Sequence, residues 1–262
     1  MSETSSINGD IFKNNTNYLN EKAKNGIFLL KQSTKFLGNL PPVHMLYLYE
    51  SMIEPILLYG SDLWGSSKTC TQNINKVFLW FVRIVLNIKS TTSNIITMGE
   101  SGMIPPNIKC HINVIIYFVR LNSMKSGPVI KNVFNELHNF HNLGFKNWYS
   151  NVLELAKQYN IDPTSLEYNM STKKSIKSIV CASFIESWKL ELQNTEKNTS
   201  LDTYKIIKSN YMKEPYLTKI KKQKYLSSFS RFRAGSHALE IERGRYTNPR
   251  IPRALRLCVN CN

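Results

Sequence analysis

The sequence predicts a mainly α-helical protein. Along most of the 262-residue chain, apolar residues recur at three- and four-residue steps, the spacing that places them on one face of a helix. Alternating apolar and polar runs, which would indicate strands, are few, and no internal repeat of about twenty to fifty residues is present. Proline and glycine clusters separate the periodic stretches and mark the expected helix ends.

The first predicted helices lie between residues 21 and 126 and form one helical domain. Residues 1–20 are polar, and we expect them to be a flexible N-terminal segment. The first helix starts near Ala23, and Pro42 suits the first turn of the next, where an amide proton is dispensable. Pro55 should kink or end that second helix. Two more apolar helices are expected at 77–85 and 109–124, with the glycine-rich stretch 99–106 forming a turn between them.

The second half of the chain divides into a connecting region and a basic helical region. Residues 127–170 have a mixed pattern, with one short amphipathic helix predicted from Trp148 to Tyr159. Asp162 and Pro163 mark the expected boundary. Residues 171–262 then begin with a long helix over 176–192, followed by a second over 204–211 and by a lysine-rich stretch over 215–237. We expect Trp64, Trp80 and Trp188 to build the cores.

The positive charge is concentrated at the C-terminal end and points to a partner made of phosphate. Residues 200–262 contain fourteen basic and four acidic side chains, a net charge of +10 out of the total +16. Aromatic residues lie between these cations, and we expect Tyr225, Phe229 and Phe232 to be core residues rather than platforms for bases. The candidate phosphate-binding residues are Lys219, Lys221, Lys222, Lys224, Arg231, Arg233, His237, Arg243, Arg245, Arg250, Arg253 and Arg256.

The residues needed for several kinds of catalysis are missing from the pattern. The chain has four aspartates, none paired with another, whereas two-metal centres need clustered carboxylates. Glu240 and Glu242 are the closest carboxylate pair, but the neighbouring arginines, Arg233 among them, favour an internal salt-bridge network. His138 and His141 have metal-ligand spacing without a nearby acidic or thiol partner, which favours exposed or capping histidines. We therefore expect no enzyme activity from this chain alone and no small-molecule substrate.

The cysteines indicate a reducing compartment and an incomplete metal site. Cys70, Cys110 and Cys181 are scattered among apolar neighbours and do not form a disulfide framework. Cys258 and Cys261 form a Cys-x-x-Cys pair at the end of the sequence, and two ligands are half of what zinc requires. We expect no cofactor, with zinc bound only if a knuckle is completed beyond the given sequence. No secretory signal or membrane segment is recognisable, so the prediction is an intracellular protein, cytoplasmic or nuclear.

Four segments, in order, resemble the C-terminal part of a LINE-type (non-LTR) retrotransposon reverse transcriptase. The start of the chain, with Asp10, is similar to the stretch that follows the palm. The segment from Pro55 to Trp64 resembles the family's Pro-x-Leu-x-Tyr-Gly-x-Glu-x-Trp motif, with Asp62 where glutamate is usual. Residues 99–105 resemble its Gly-Glu-x-Gly-x-x-Pro motif, and residues 231–261 resemble the approach to its cysteine/histidine knuckle.

The resemblance implies a segment truncated at both ends, with fingers and palm missing upstream. It implies that 21–126 is a thumb-like bundle, which contacts RNA or an RNA–DNA duplex together with the basic region and its truncated knuckle. The family's Tyr/Phe-Ala-Asp-Asp motif is absent from the sequence, so the expected role is non-catalytic binding to the nucleic-acid backbone. Two alternatives stay open: a helical protein–protein module whose basic face meets an acidic partner, and a retroelement relic without function.

Overall fold

The computed structural model describes residues 4–36, 40–194, 201–237, 239, 243–244, 247–249, 251–252 and 255–256. Within these residues all regular structure is helical, with no strand, which confirms the predicted mainly α class. None of the helices in this part of the chain combines the length and the hydrophobicity that crossing a bilayer requires.

The helices are numbered in chain order. The N-terminal half contains α1 (Thr4–Phe36), α2 (Pro42–Leu48), α3 (Glu54–Leu57), α4 (Ser61–Trp64), α5 (Lys68–Leu86), α6 (Asn94–Ser101) and α7 (Pro106–Asn122). The C-terminal half contains α8 (Val129–Asn142), α9 (Trp148–Lys157), α10 (Met170–Gln193), α11 (Leu201–Ile207), α12 (Tyr216–Lys219) and α13 (Gln223–Arg233).

The chain forms two compact units, each assembled from separate segments of sequence. The first unit comprises residues 1–38, 47–78 and 104–187, and the second comprises 39–46, 79–103 and 188–262. This division differs from the predicted segments 21–126, 127–170 and 171–262. The reason is that contacts between residues far apart in sequence define each unit, and helical periodicity carries no information about them.

The first helix begins earlier than its predicted start near Ala23. Helix α1 begins at Thr4, and it buries Leu19, Ala23, Ile27 and Leu30 on the face that packs against α3. These residues follow the three- and four-residue spacing of one helix face. The predicted start was too late because the Ser, Asn and Thr residues before Ala23 have low helix propensity, which packing against neighbouring helices overrides.

Pro55 lies inside a continuous helical stretch and does not end it. Between α2 and α3 the chain continues through a π-helical turn, Tyr49–Ile53, and Pro55 lies in the first turn of α3. A proline has no amide hydrogen and its ring clashes with the carbonyl of the preceding turn, so a wider π turn at this point allows the helix to continue.

The core of the first unit is an apolar cluster formed by α7, α8, α9 and the N-terminal part of α10. Its centre is the aromatic cluster, which we define as Phe118, Phe134, Trp148 and Tyr149. The centroid of the Phe118 ring lies 4.8 Å from the ring centroid of Tyr149, 5.2 Å from that of Phe134 and 5.9 Å from that of Trp148. Residues 127–170 therefore contribute much of this core and are not merely a connection.

A hydrogen-bonded tryptophan lies in the interior of the second unit. Trp188 is buried, and its indole N–H donates to the carbonyl oxygen of Ile95 at 2.9 Å. Trp64 is likewise buried in the first unit, as predicted, but Trp80 is 42% exposed, so the expectation that it would be a core residue was wrong. Trp80 belongs to the broad apolar stretch of α5, where periodicity alone did not distinguish the buried face from its margin.

Candidate nucleic-acid interface

The site begins at the C-terminal end of α6, in the segment Gly99–Gly102. Glu100 is on the last turn of this helix with 1% of its surface exposed, and Gly102 ends the helix in the left-handed region with φ +63°. A side chain at Gly102 would collide with the backbone of Met212 and Lys213. The segment that we predicted as a turn is thus a helix end, and glycine is required there both by φ and by the close backbone contact.

The Glu100 carboxylate is surrounded by donors. The hydroxyl of Tyr204 donates to it at 2.9 Å and that of Tyr216 at 2.7 Å. The guanidinium of Arg233 donates to both carboxylate oxygens, with a closest distance of 3.0 Å. An isolated buried carboxylate would be strongly destabilising, so these bonds are what allow Glu100 to remain inside the protein.

The ion pairs continue from Arg233 to a second carboxylate. Arg233 also lies 3.0 Å from Glu214, and the buried ammonium of Lys208 bonds to the other oxygen of Glu214. Glu100, Tyr204, Tyr216, Arg233, Glu214 and Lys208 together are called the Glu100 network. The network contains two carboxylates and two cations, so its formal charges cancel.

The network shifts the pKa of its titratable groups. Burial, followed by the negative charge of Glu100, raises the pKa of Tyr204 and of Tyr216 well above the usual range. Burial by itself lowers the pKa of Arg233, but its bonds to Glu100 and the charge of Glu214 outweigh that effect and raise it. The tyrosines therefore remain protonated donors and the arginine remains a cation.

The position of Arg233 contradicts its predicted phosphate contact. Its side chain is 11% exposed and is bonded to Glu100 and Glu214, whereas the expected carboxylates, Glu240 and Glu242, lie outside the described residues. Glu100 lies in the stretch 99–106, which was predicted only as a turn, and it was not among the predicted site residues. One signal was present in the sequence: a carboxylate within an otherwise uncharged stretch from residue 90 to 108 needs a partner if it is buried.

The Glu100 network attaches one face of α13 and leaves the other exposed. Leu226, Ser227 and Ser230 are buried, and the Ser230 hydroxyl lies 3.1 Å from that of Tyr216. The side chains on the opposite side, and those leading into the helix, are exposed. We call them the α13 surface: Lys219, Lys221, Lys222, Lys224, Tyr225, Phe229, Arg231 and Phe232.

The three rings of the α13 surface are exposed, which corrects the prediction that they are core residues. Tyr225 is 59% exposed, Phe229 40% and Phe232 57%. The sequence pattern was ambiguous because Leu226 and Ser230, at neighbouring positions, form the buried face instead. The result is a surface that combines positive charge with aromatic faces.

The cations of the α13 surface differ in how they are held. Arg231 donates to the carbonyl and to the side-chain oxygen of Asn87, at 2.7 and 2.8 Å, which uses two of its five donors. The four lysines are exposed. His237 is half-buried and stacks on Phe232, with ring centroids 5.5 Å apart.

The remaining predicted cations follow α13. Arg243 is exposed, and Arg256 is half-buried and donates to the carbonyl of Ile251 at 2.8 Å. The other predicted residues of this region, including both cysteines of the half-knuckle, lie outside the described residues: Arg245, Arg250, Arg253, Cys258 and Cys261.

The geometry offers no metal centre in the part of the chain that the structure describes, because no group of three or more potential ligand side chains converges there. His138 and His141 lie on α8. His141 is hydrogen-bonded to the Ser150 hydroxyl at 2.9 Å, and both imidazoles pack against the ring of Tyr149. Their observed contacts are those of structural residues.

Comparison of the chain with family models, with curated proteins and with solved structures finds no match.

Proposed function

We propose that this protein binds RNA or an RNA–DNA duplex through phosphate contacts from the α13 surface. The observation that carries the proposal is the exposure of four lysines, Lys219, Lys221, Lys222 and Lys224, within six residues of one another. From Pro215 to His237 the sequence has no acidic residue that could neutralise them. A cluster of solvated cations is the usual means of binding a phosphate backbone without reading its sequence.

The Glu100 network supports the proposal because its own carboxylates do not compensate these cations. Its two carboxylates are occupied by Arg233 and Lys208, so they do not neutralise the lysines of the α13 surface. The network also fixes α13 through Arg233, which donates to Glu100 and pairs with Glu214. Lys224 and Arg231 are therefore presented by a helix whose other side is held by buried bonds, and Lys219, Lys221 and Lys222 lie just before it.

We further propose that the chain is a non-catalytic segment of a LINE-type reverse transcriptase that acts inside the cell, in the cytoplasm or nucleus, with residues 21–126 in the thumb-like role. The support is the order of the four motifs. In two of them the local structure depends on particular residues of the motif. In one, Gly60 is left-handed at φ +68° and the indole of Trp64 donates to the Tyr59 carbonyl at 3.2 Å. In the other, Glu100 is buried beside Gly102.

The test is the salt dependence of binding. The four lysines of the α13 surface are replaced together by alanine, and the binding constant for an RNA–DNA duplex and for single-stranded RNA is measured by fluorescence anisotropy over a range of salt. Each lost phosphate contact should reduce the slope of log K against log salt by about 0.9 on duplex and about 0.7 on a single strand. The expected reduction in slope therefore corresponds to the loss of up to about four phosphate contacts.

The control variant carries the same change of charge on other exposed lysines: Lys13, Lys31, Lys157 and Lys174. It should bind with a slope close to that of the unaltered protein. Equal slopes for the two variants would contradict the assignment to the α13 surface. Binding of polyglutamate at roughly 0.15 M salt, with no binding of either nucleic acid, would favour the protein–protein alternative instead.

A further inference from the structure

The rings of the α13 surface form a row along one side of the helix. Tyr225 and Phe232 are seven residues apart, which is nearly two turns, so they point to the same side about 10.5 Å apart along the axis. Phe229 lies between them and packs edge-on against Tyr216 with centroids 4.9 Å apart. The Arg233 guanidinium is 6.0 Å from the centre of the Phe229 ring. The row is thus attached to the Glu100 network at its middle.

Cations accompany this row of rings. The Lys222 ammonium lies 5.8 Å from the centre of the Tyr225 ring. Lys224 and Arg231 are also seven residues apart, so they flank the rings along one side of the helix. Exposed rings with adjacent cations provide both components of a single-strand binding groove, stacking platforms for bases and charge for the backbone.

We infer that the α13 surface binds unpaired nucleotides, with bases stacked on Tyr225 and Phe232 and the phosphates beside Lys224 and Arg231. The inference rests on the proposed function and adds single-stranded RNA or DNA as the ligand that the rings of this surface bind. Phosphate binding alone does not require exposed rings, whereas stacking of bases does.

A duplex does not fit the rings as well as a single strand does. In a duplex both faces of each base are covered by neighbours about 3.4 Å away, and a ring can stack there only after the bases are separated, which costs a few kcal/mol per step. Successive rings of the row are about 6 and 4.5 Å apart along the helix axis. These separations exceed the base spacing of a stacked strand and suit bases that are splayed apart.

The test uses oligouridine and oligodeoxythymidine of about 12 nucleotides, and an RNA–DNA hybrid of the same length. Tyr225→Ala and Phe232→Ala are each expected to weaken binding of both single strands about fivefold or more, because a lost base–ring stack has that size. Binding of the hybrid and the salt slope should stay unchanged. Tyr225→Phe should bind like the unaltered protein, whereas Tyr225→Leu should be as weak as the alanine variant because leucine has no aromatic face.

The matched control is Tyr18→Ala on α1. Tyr18 is 57% exposed, close to the value for Tyr225, and a lysine, Lys22, likewise lies over its ring at 5.0 Å. This variant should bind single strands normally. Thermal unfolding of every variant should match that of the unaltered protein, since the substituted rings are exposed.

Two results would overturn the inference. Ring variants that bind single strands normally, while the lysine variant retains its reduced salt slope, would leave the proposed function intact and remove stacking. Retained binding by Tyr225→Leu would indicate a general apolar contact. Failure of the unaltered protein to bind any of the three oligonucleotides would instead contradict the proposed function itself.

Discussion

The aromatic cluster of the first unit and the Glu100 network of the second stabilise their helices in different ways. The aromatic cluster joins α7, α8 and α9 through rings, with no ion pair among its members. The Glu100 network joins α6, α11, α12 and α13 through one carboxylate and its donors. Apolar contacts tolerate substitutions of similar volume, whereas a buried ion pair depends on each of its partners.

This difference determines where α13 is sensitive to substitution. The buried side of α13 has few large apolar residues, with Leu226 the main one, so Glu100 and Arg233 carry much of its attachment. The position of the α13 surface therefore depends on polar contacts between residues that are 104, 116 and 133 positions apart in the chain.

The largest expected effect is that of breaking the Glu100 network. Arg233→Met should reduce the free energy of unfolding by about 3–5 kcal/mol, because it leaves a buried carboxylate without its cation. Urea denaturation measures the change. Arg231→Met, which alters the neighbouring exposed arginine, is the control and should cost no more than about 1 kcal/mol.

A double-mutant cycle sharpens this prediction. Glu100→Gln combined with Arg233→Met removes both charges, so the double variant should be less destabilised than the sum of the single variants by about 1–3 kcal/mol. Strict additivity would mean that the two residues act independently, and the contrast with the aromatic cluster would disappear.

A smaller effect is expected from pH in the first unit, at the contact between His111 and Tyr159. The imidazole of His111 is hydrogen-bonded to the Tyr159 hydroxyl at 2.6 Å, and burial lowers the pKa of His111 to about 4. The unfolded chain, with a pKa near 6.5, binds a proton more readily. Stability should thus fall as pH drops from about 6.5 to about 4, by up to about 3 kcal/mol.

The check is the difference in free energy of unfolding between the unaltered protein and His111→Gln, measured across this pH range. Glutamine cannot be protonated, so the variant should lack this part of the acid destabilisation. Parallel curves for the two proteins would contradict a neutral buried His111. Arg233→Met should retain the His111 contribution, because its titration belongs to the first unit.

The sequence predicted the class of the fold and most of the helices, but less of the site. The helix expected from Trp148 to Tyr159 is α9, and the stripe from Ile176 to Leu192 lies on α10. Such elements are predictable because periodicity is local. The helical start of the chain was missed because tertiary packing overrides the weak propensity of its polar residues.

The candidate site was predictable in composition but not in arrangement. Charge counting identified the lysines of the α13 surface, which the structure places in solvent. It could not distinguish Arg231 from Arg233, two residues away, because the difference depends on Glu100, more than a hundred residues earlier. The exposure of Tyr225 and Phe232 depends in the same way on which side of α13 the buried network occupies.

The most direct test of nucleic-acid binding at the α13 surface is a footprint of lysine reactivity. The protein is acetylated with and without single-stranded RNA, and each lysine is quantified by mass spectrometry. Lys219, Lys221, Lys222 and Lys224 should be protected by RNA, while Lys13, Lys31, Lys157 and Lys174 should react as before. Protection of the second set, with unchanged reactivity of the first, would contradict the account.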